Sequence, residues 1–174
     1  LDVIFRIQTD IATKIASALK ANLSAEEEQG ISKKYTLNTE AYQLYLQGRY
    51  EWNKRLEAPV RKSIEFFKQA IAMDSTYALA YAGLGDAYLM LGVYSSLRPD
   101  ESFPVGKMYA EKALQLDPSL AEAYATLIDI HIHYDWDADA AEKYFQKAIE
   151  SNPEYANAYH WHSEVFDMRH QFDK

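Results

Sequence analysis

The chain has no cysteine, which excludes disulfides, thiol catalysis and Cys-based zinc sites without selecting a compartment. It has only 6 glycines and 5 prolines, and no G-x-G-x-x-G or Walker pattern that would cradle a phosphate. No apolar run approaches the roughly 18 residues needed to cross a bilayer. Positive charge is also short: 18 Lys and Arg stand against 26 Asp and Glu, a net charge of −8. The densest basic pair is Lys33-Lys34, so the clustered cations that nucleic-acid phosphates require are missing. An acidic surface suits a soluble protein, or one with a basic partner. What remains is ample: 174 residues, 48% apolar and 14% aromatic, can bury a substantial interior and do not describe a disordered chain.

Three stretches share one small-residue pattern. They are Ser63-x3-Phe67-x2-Ala70-x4-Ser75, Gly106-x3-Ala110-x2-Ala113-x4-Pro118 and Ala141-x3-Phe145-x2-Ala148-x4-Pro153. Upstream of the second and third stand Tyr81-x2-Leu84-Gly85-x2-Tyr88 and Tyr124-x2-Leu127-Ile128-x2-His131. A fourth copy starts at Tyr159-x2-His162-Ser163-x2-Phe166, and a divergent first copy carries Leu44-x2-Gln47-Gly48. Self-similarity at this period marks stacked supersecondary units, each burying its apolar face only against its neighbours. Small residues at Gly48, Gly85 and Ser163, and at Ser63, Gly106 and Ala141, let two antiparallel helices approach closely. Phe67 and Phe145 fill the gap between successive pairs. Pro118 and Pro153 cannot continue a helix and stand just past its end.

In order and type these residues resemble the tetratricopeptide repeat, over about residues 41–174. Ile128, where that family usually has glycine, predicts a locally wider helix pair in the third repeat. The resemblance implies an all-α, right-handed superhelical solenoid of antiparallel helix pairs, with repeats at about 41–77, 78–120, 121–155 and 156–174. Helices are expected at about 39–54, 58–73, 77–92, 102–116, 119–134, 138–150 and 154–170. Pro59 and Pro104 fall in first turns, where a missing N–H is harmless. The second repeat carries about nine extra residues over Val93–Glu101, too long for a simple turn, which reads as a tolerated surface loop or an interaction loop.

Ahead of the repeats, residues 2–21 read as an amphipathic helix with Ile4, Ile7, Ile11, Ile15, Ala18 and Leu19 on one stripe. Ser24-Ala-Glu-Glu27 has capping-box spacing and should open a short helix to about Ile31. Asn38 or Thr39 can cap the first repeat helix. Residues 1–37 are thus expected to be a helical segment distinct from the repeat domain at 38–174. The opening Asp2-Val-Ile-Phe-Arg-Ile-Gln-Thr-Asp-Ile-Ala, with Glu40-Ala-Tyr-Gln-Leu-Tyr-Leu-Gln-Gly-Arg-Tyr and Tyr134-Asp-Trp-Asp, is similar to the carboxy-terminal region of bacterial signalling proteins. In those, a TolB-like α/β domain precedes the repeats and a nucleotidyl cyclase, protein kinase or winged-helix domain stands further upstream. With no initiator Met and a final repeat cut at Lys174, the expectation is a piece of such a parent.

No constellation of residues reads as an active site. Carboxylates abound, but none accompanies a nucleophile or a phosphate loop. His131 and His133, like His160 and His162, are two apart and so lie on different helix faces. Asp129 with His133, and His160 with Glu164, share a face at i and i+4 and could offer a metal two ligands per helix. Without a His-Glu-x-x-His signature, structural histidines are the expectation. No metal and no cofactor is expected. Tyr81, Tyr88, Tyr124 and Tyr159 are expected to pack between helices with the hydroxyl at the edge.

By the family resemblance, the inner helix of each pair faces the concave groove through fixed positions. Carried over, these are Tyr42, Tyr45, Arg49, Trp52 and Asn53, then Leu79, Ala82, Asp86, Leu89 and Met90. The third and fourth repeats give Glu122, Ala125, Asp129, Ile132 and His133, and Asn157, His160, Glu164, Asp167 and Met168. Tyr42, Tyr45 and Trp52 read equally as groove anchors or as seats for helix 2–21. The basic and amide positions that clamp a carboxylate tail in chaperone-binding members are not matched, which argues against an acidic-tail ligand. Instead Asp86, Asp129 and Glu164 occupy one repeat position. This ladder reads as a solvated face or as a capture surface for a basic segment.

The function expected is protein–protein interaction, as a regulatory or scaffolding module binding a protein or peptide, with self-association as a further reading. The rival is a fragment of a cyclase or kinase whose catalytic domain lies elsewhere. No nucleic acid and no membrane insertion is expected. A cytoplasmic module is expected, or an extracytoplasmic one if the parent is membrane-anchored.

Overall fold

The computed structural model describes residues 2–18, 35–94 and 96–172. Eight α-helices lie within them: α1 (Asp2–Ala18), α2 (Thr39–Trp52), α3 (Glu57–Met73), α4 (Ala78–Val93), α5 (Pro99–Leu116), α6 (Ala121–His133), α7 (Ala138–Ser151) and α8 (Ala156–Phe172). The short helix expected at 24–31 lies outside the described residues. Asn38 caps α2, its side chain accepting from the backbone N–H groups of Glu40 and Ala41 at 3.0 Å each.

Helices α2 to α7 form three antiparallel hairpins, and α8 follows as the inner helix of a fourth unit. Each inner helix touches the next inner helix (α2 with α4, α4 with α6, α6 with α8), whereas no outer helix (α3, α5, α7) packs on another outer helix among the described residues. Inner helices crowd while outer helices splay, so the stack curves with its inner helices on the concave wall. Alanine makes the crowding feasible: Ala41, Ala70, Ala110, Ala113, Ala123, Ala148 and Ala158 are all fully buried.

The turns from outer to inner helix follow one design. Asp74, Asp117 and Asn152 take extended backbone, donate their N–H to Ala70, Ala113 and Ala148, and accept from the N–H of Thr76, Ser119 and Glu154 through the side chain. Each closes a helix with an Asx turn that satisfies otherwise orphaned groups. Tyr124 and Tyr159 then donate their hydroxyls to the carbonyls of Pro118 and Pro153 at 2.9 Å, so two repeat tyrosines pin the turn before their own helix.

Gly85 and Gly106 let the backbones of α4 and α5 come together. A Cβ on Gly85 would lie 3.2 Å from the Gly106 carbonyl oxygen, and a Cβ on Gly106 would lie 3.2 Å from the Gly85 carbonyl oxygen. At Gly48 a Cβ would meet the fully buried Phe67 ring at 2.5 Å. Ile128, in the same register, is buried in one cluster with Ala141 and Phe145.

The nine-residue insertion at Val93–Glu101 is not a loop of that length. Val93 ends α4, and Pro99, Asp100 and Glu101 form the first turn of α5. Pro99 presets φ at the first helical position, and two carboxylates complement the positive end of the helix dipole. Helix α5 therefore starts earlier than the sequence suggested. Pro104 consequently lies inside it rather than in its first turn.

Candidate functional site

A cleft of about 490 Å³ opens where the inner helices converge. Asp86, Leu89, Met90, Ala125, Thr126 and Asp129 line it from α4 and α6, Trp52 and Arg55 from one side, and Tyr155, Asn157, His160 and Trp161 from the other. Val93 and Tyr94 complete the lining.

At its centre Asp86 uses both oxygens. Arg49 donates to one at 3.0 Å, and the Thr126 hydroxyl to the other at 2.5 Å. Thr126 lies one inner helix away, so this contact joins the second and third repeats. Burial pushes the Asp86 carboxyl up, against the opposing pull of Arg49. Trp52 is buried, with two guanidinium groups over its ring, Arg49 at 4.4 Å and Arg55 at 3.9 Å, and its indole N–H has no acceptor among the described residues. Arg55 adopts a left-handed backbone, φ 56°.

Asp129 is almost fully buried, with His133 Nδ1 2.6 Å from its Oδ1. On the far side, His133 Nε2 lies 3.4 Å from Glu164. The Asp129 contact raises the imidazole from 6.5 to about 9 despite its partial burial, so His133 is a cation at neutral pH. The three ladder carboxylates are therefore not alike. Asp86 and Asp129 are engaged by Arg49, Thr126 and His133, and Glu164, one-third exposed, keeps the most open charge. Sequence register predicts that all three share one wall; the groups that engage Asp86 come from other helices, whereas Asp129 meets His133 one turn along its own helix.

The remaining predicted positions divide. Leu89, Met90 and His160 line the cleft beside Trp52, Asp86 and Asp129. Tyr42 is half-buried and accepts a hydrogen bond from Gln8 of α1 at 2.7 Å. Tyr45 is a packing residue, its ring 5.3 Å from Tyr77 and 5.9 Å from Phe67, and burial pushes its phenol up. Leu79 and Ile132 are buried in the core clusters, outside the cleft lining. They are inner-helix residues turned toward neighbouring helices rather than toward the groove. Six cleft residues lay beyond the register argument: Arg55, Val93, Tyr94, Thr126, Tyr155 and Trp161. Tyr155 carries a usable signal, because it occupies the turn position of Tyr77 and Leu120; Thr126 carries none.

His131 and His133 do part company. His131 Nδ1 lies 3.0 Å from Asp135 and its ring stacks on Tyr144, and burial, with Lys107 nearby, pushes its imidazole down. Among the described residues no three His, Asp or Glu side chains converge as a metal ion would need, and no helix is long and apolar enough to cross a membrane.

An all-α solenoid whose inner helices wall a cleft places this chain in the structural class of tetratricopeptide-like repeat modules. Its fold is similar to a solved structure described as the first TPR of Spaghetti (RPAP3) bound to the HSP90 peptide SRMEEVD. The TM-score is 0.62 at 15% identity, covering 82% of this chain and all of that one. In sequence, 99 residues are 28% identical to human protein O-mannosyl-transferase TMTC3, covering 57% of this chain. The chain spans about a tenth of that relative's length. No family model matches the chain.

Proposed function

We propose that this chain is a non-catalytic interaction module whose concave cleft holds an extended peptide segment of a partner protein. The observation that carries the proposal is the cleft itself, built jointly by all four inner helices and their turns. It combines apolar floor residues (Leu89, Met90), aromatic walls (Trp52, Trp161) and ionisable groups already engaged with one another. Such a site is made to hold an occupant in place; none of its carboxylates is left poised for proton transfer. The structure of similar fold contains a bound peptide, which supports the same mode of use.

The ligand we propose is a mixed basic–apolar segment. A bulky apolar side chain would enter between Trp52 and Trp161, over Leu89 and Met90. A neighbouring Lys or Arg would reach Glu164, the ladder carboxylate with the most open charge. The acidic SRMEEVD peptide of the RPAP3 structure would instead meet Asp86, Asp129 and Glu164. The similarity of residues 2–12 and 40–50 to a bacterial signalling junction supports placement as a regulatory region of a larger signalling protein, with residues 1–37 as the connection to its upstream domain.

Selection from a random peptide display library, followed by fluorescence polarisation, tests this reading. Enriched peptides should pair a large apolar residue with Lys or Arg. Binding should weaken on Glu164→Lys and on Trp161→Ala with helical content unchanged. Enrichment of acidic peptides, or equal binding by both variants, would overturn it.

A further inference from the structure

In the second and third hairpins the inner helix grips its outer helix by one device. Tyr81 and Tyr88 of α4 flank Tyr109 of α5, at 6.4 and 5.8 Å between ring centroids. Tyr124 and His131 of α6 flank Tyr144 of α7 at 6.2 and 5.3 Å. The inserted tyrosine stands three residues after the small residue of the crossing, in Gly106-x2-Tyr109 and Ala141-x2-Tyr144. The flanking rings stand four residues before and three after the crossing position of the inner helix, so they share one face and the outer ring enters between them. Helix α8 carries the same receiving pair, Tyr159 and Phe166 around Ser163, yet packs only on α6 and α7 among the described residues. Tyr159 is 48% and Phe166 53% exposed, whereas Tyr124 and His131 in the same register are buried. Both exposed rings are nonetheless held. Tyr159 meets Phe145 edge-on at 5.4 Å and donates its hydroxyl to the Pro153 carbonyl; Phe166 meets His162 edge-on at 5.0 Å. Rings already fixed lose little freedom on binding.

The same face specifies what covers it. Ser163-x2-Phe166 repeats the inserting pattern of the outer helices, so α8 is at once a receiving helix and an inserting one. Two copies of α8 set antiparallel, as the helices of each hairpin are, place Phe166 of each between Tyr159 and Phe166 of the other. The two Ser163 then stand at the crossing, where the second hairpin has Gly85 and Gly106. A face that receives itself about a two-fold axis is what an isologous contact requires. One position departs: outer helices carry Phe67, Ala110 and Phe145 where α8 carries Asp167. That position faces the next inner helix, as Phe145 does in stacking on His162 at 3.6 Å, so Asp167 falls on the flank of the pair. The contact needs no exchange of charge, since His162 and Arg169 are paired with Glu142 and Asp139 of their own copy.

We infer that α8 pairs antiparallel with α8 of a second copy of this chain, through Tyr159, Ser163 and Phe166. None of the three lines the cleft, so the pairing is independent of peptide binding.

Sedimentation equilibrium of the full 174-residue chain across a concentration series tests the pairing, with circular dichroism confirming the fold of each variant. One helix pair is a small interface, so a weak, reversible monomer–dimer equilibrium is expected, little changed by added salt because its contacts are apolar. Phe166→Asp removes a ring that is used twice and should weaken the dimer on the order of a hundredfold. Ser163→Arg, which props the crossing apart, should weaken it at least about tenfold. The chain has no cysteine, so Ser163→Cys introduces a unique thiol. A disulfide requires Cα atoms within about 7 Å, and mild oxidation should give a covalent dimer only where the two crossings meet. Leu56→Cys, exposed on the first hairpin, should give none. A chain monomeric at every concentration, a dimer indifferent to Phe166→Asp, or Ser163→Cys cross-linking no better than Leu56→Cys would each overturn the inference. So would a dimer lost on Ile11→Asp instead, which would place the contact on the exposed Val3, Ile7, Ile11 and Ile15 of α1.

Discussion

Substituting Gly85 measures how closely α4 and α5 must approach. An alanine Cβ would sit 3.2 Å from the Gly106 carbonyl oxygen and 3.3 Å from the Ala110 backbone nitrogen. Both are backbone atoms of α5, so a few tenths of an ångström must come from moving a whole helix. Alanine also gains about 1 kcal/mol of helix propensity over glycine, which offsets much of the crowding. Gly85→Ala should therefore lie within about 1 kcal/mol of the wild type. Leucine adds three further carbons at a position whose Cβ already meets the α5 backbone and the Thr126 methyl, the latter at 3.4 Å. Overpacking of this kind costs typically about 1–3 kcal/mol, and the top of that range is expected because the neighbouring repeats share the displaced interface. For a chain of this length each kcal/mol moves the midpoint by about 2–4 °C, so Gly85→Leu should melt about 6–12 °C lower. Thermal melts by circular dichroism, with Gly85→Ala as the paired control, read this directly. A Gly85→Leu midpoint within a degree of the wild type would refute the crossing geometry.

Three further outcomes are expected. Tyr77 is fully buried and its hydroxyl has no hydrogen-bond partner among the described residues; Tyr77→Phe should be neutral or more stable by about 1 kcal/mol in urea unfolding, and a loss of about 2 kcal/mol or more would reveal a hidden partner. Arg49→Met leaves Asp86 without its cation in a largely buried site and should cost about 2–3 kcal/mol, part of which Asp86→Asn should restore in the double variant; equal stability of both single variants and the wild type would contradict the pairing. His133 binds its proton more tightly folded than unfolded, so its contribution is complete below pH 6.5 and is lost as pH rises through about 9. With a third of the side chain open to water the loss should be about 1 kcal/mol between pH 7 and 10, and His133→Gln should flatten that decline; parallel urea midpoints across this range would exclude the linkage.

Repetition is a one-dimensional property, and most of the fold was legible from it. Ser63, Gly106 and Ala141 recur because each faces a close helix crossing. Asp74, Asp117 and Asn152 recur because each turn has the same orphan groups to satisfy, so helix order, pairing and turn positions could be read along the chain. The start of α5 was misjudged because Pro104 looks like a helix opening until Pro99, with Asp100 and Glu101 behind it, offers a better one. Register placed Asp86, Asp129, Leu89, Met90 and His160 on the concave side, and the cleft contains them. Register alone could not say which inner-helix residues turn sideways into the next repeat, as Leu79 and Ile132 do, because that depends on the angle between neighbouring pairs. It set His133 one turn from Asp129 on the same face, but it could not supply partners from other helices. Arg49 and Thr126 reach Asp86 from positions 37 and 40 residues away, and His133 stands between Asp129 and Glu164 only because α6 and α8 pack side by side. Local periodicity determined where carboxylates recur; the superhelical stacking decided which of them keep a charge to offer.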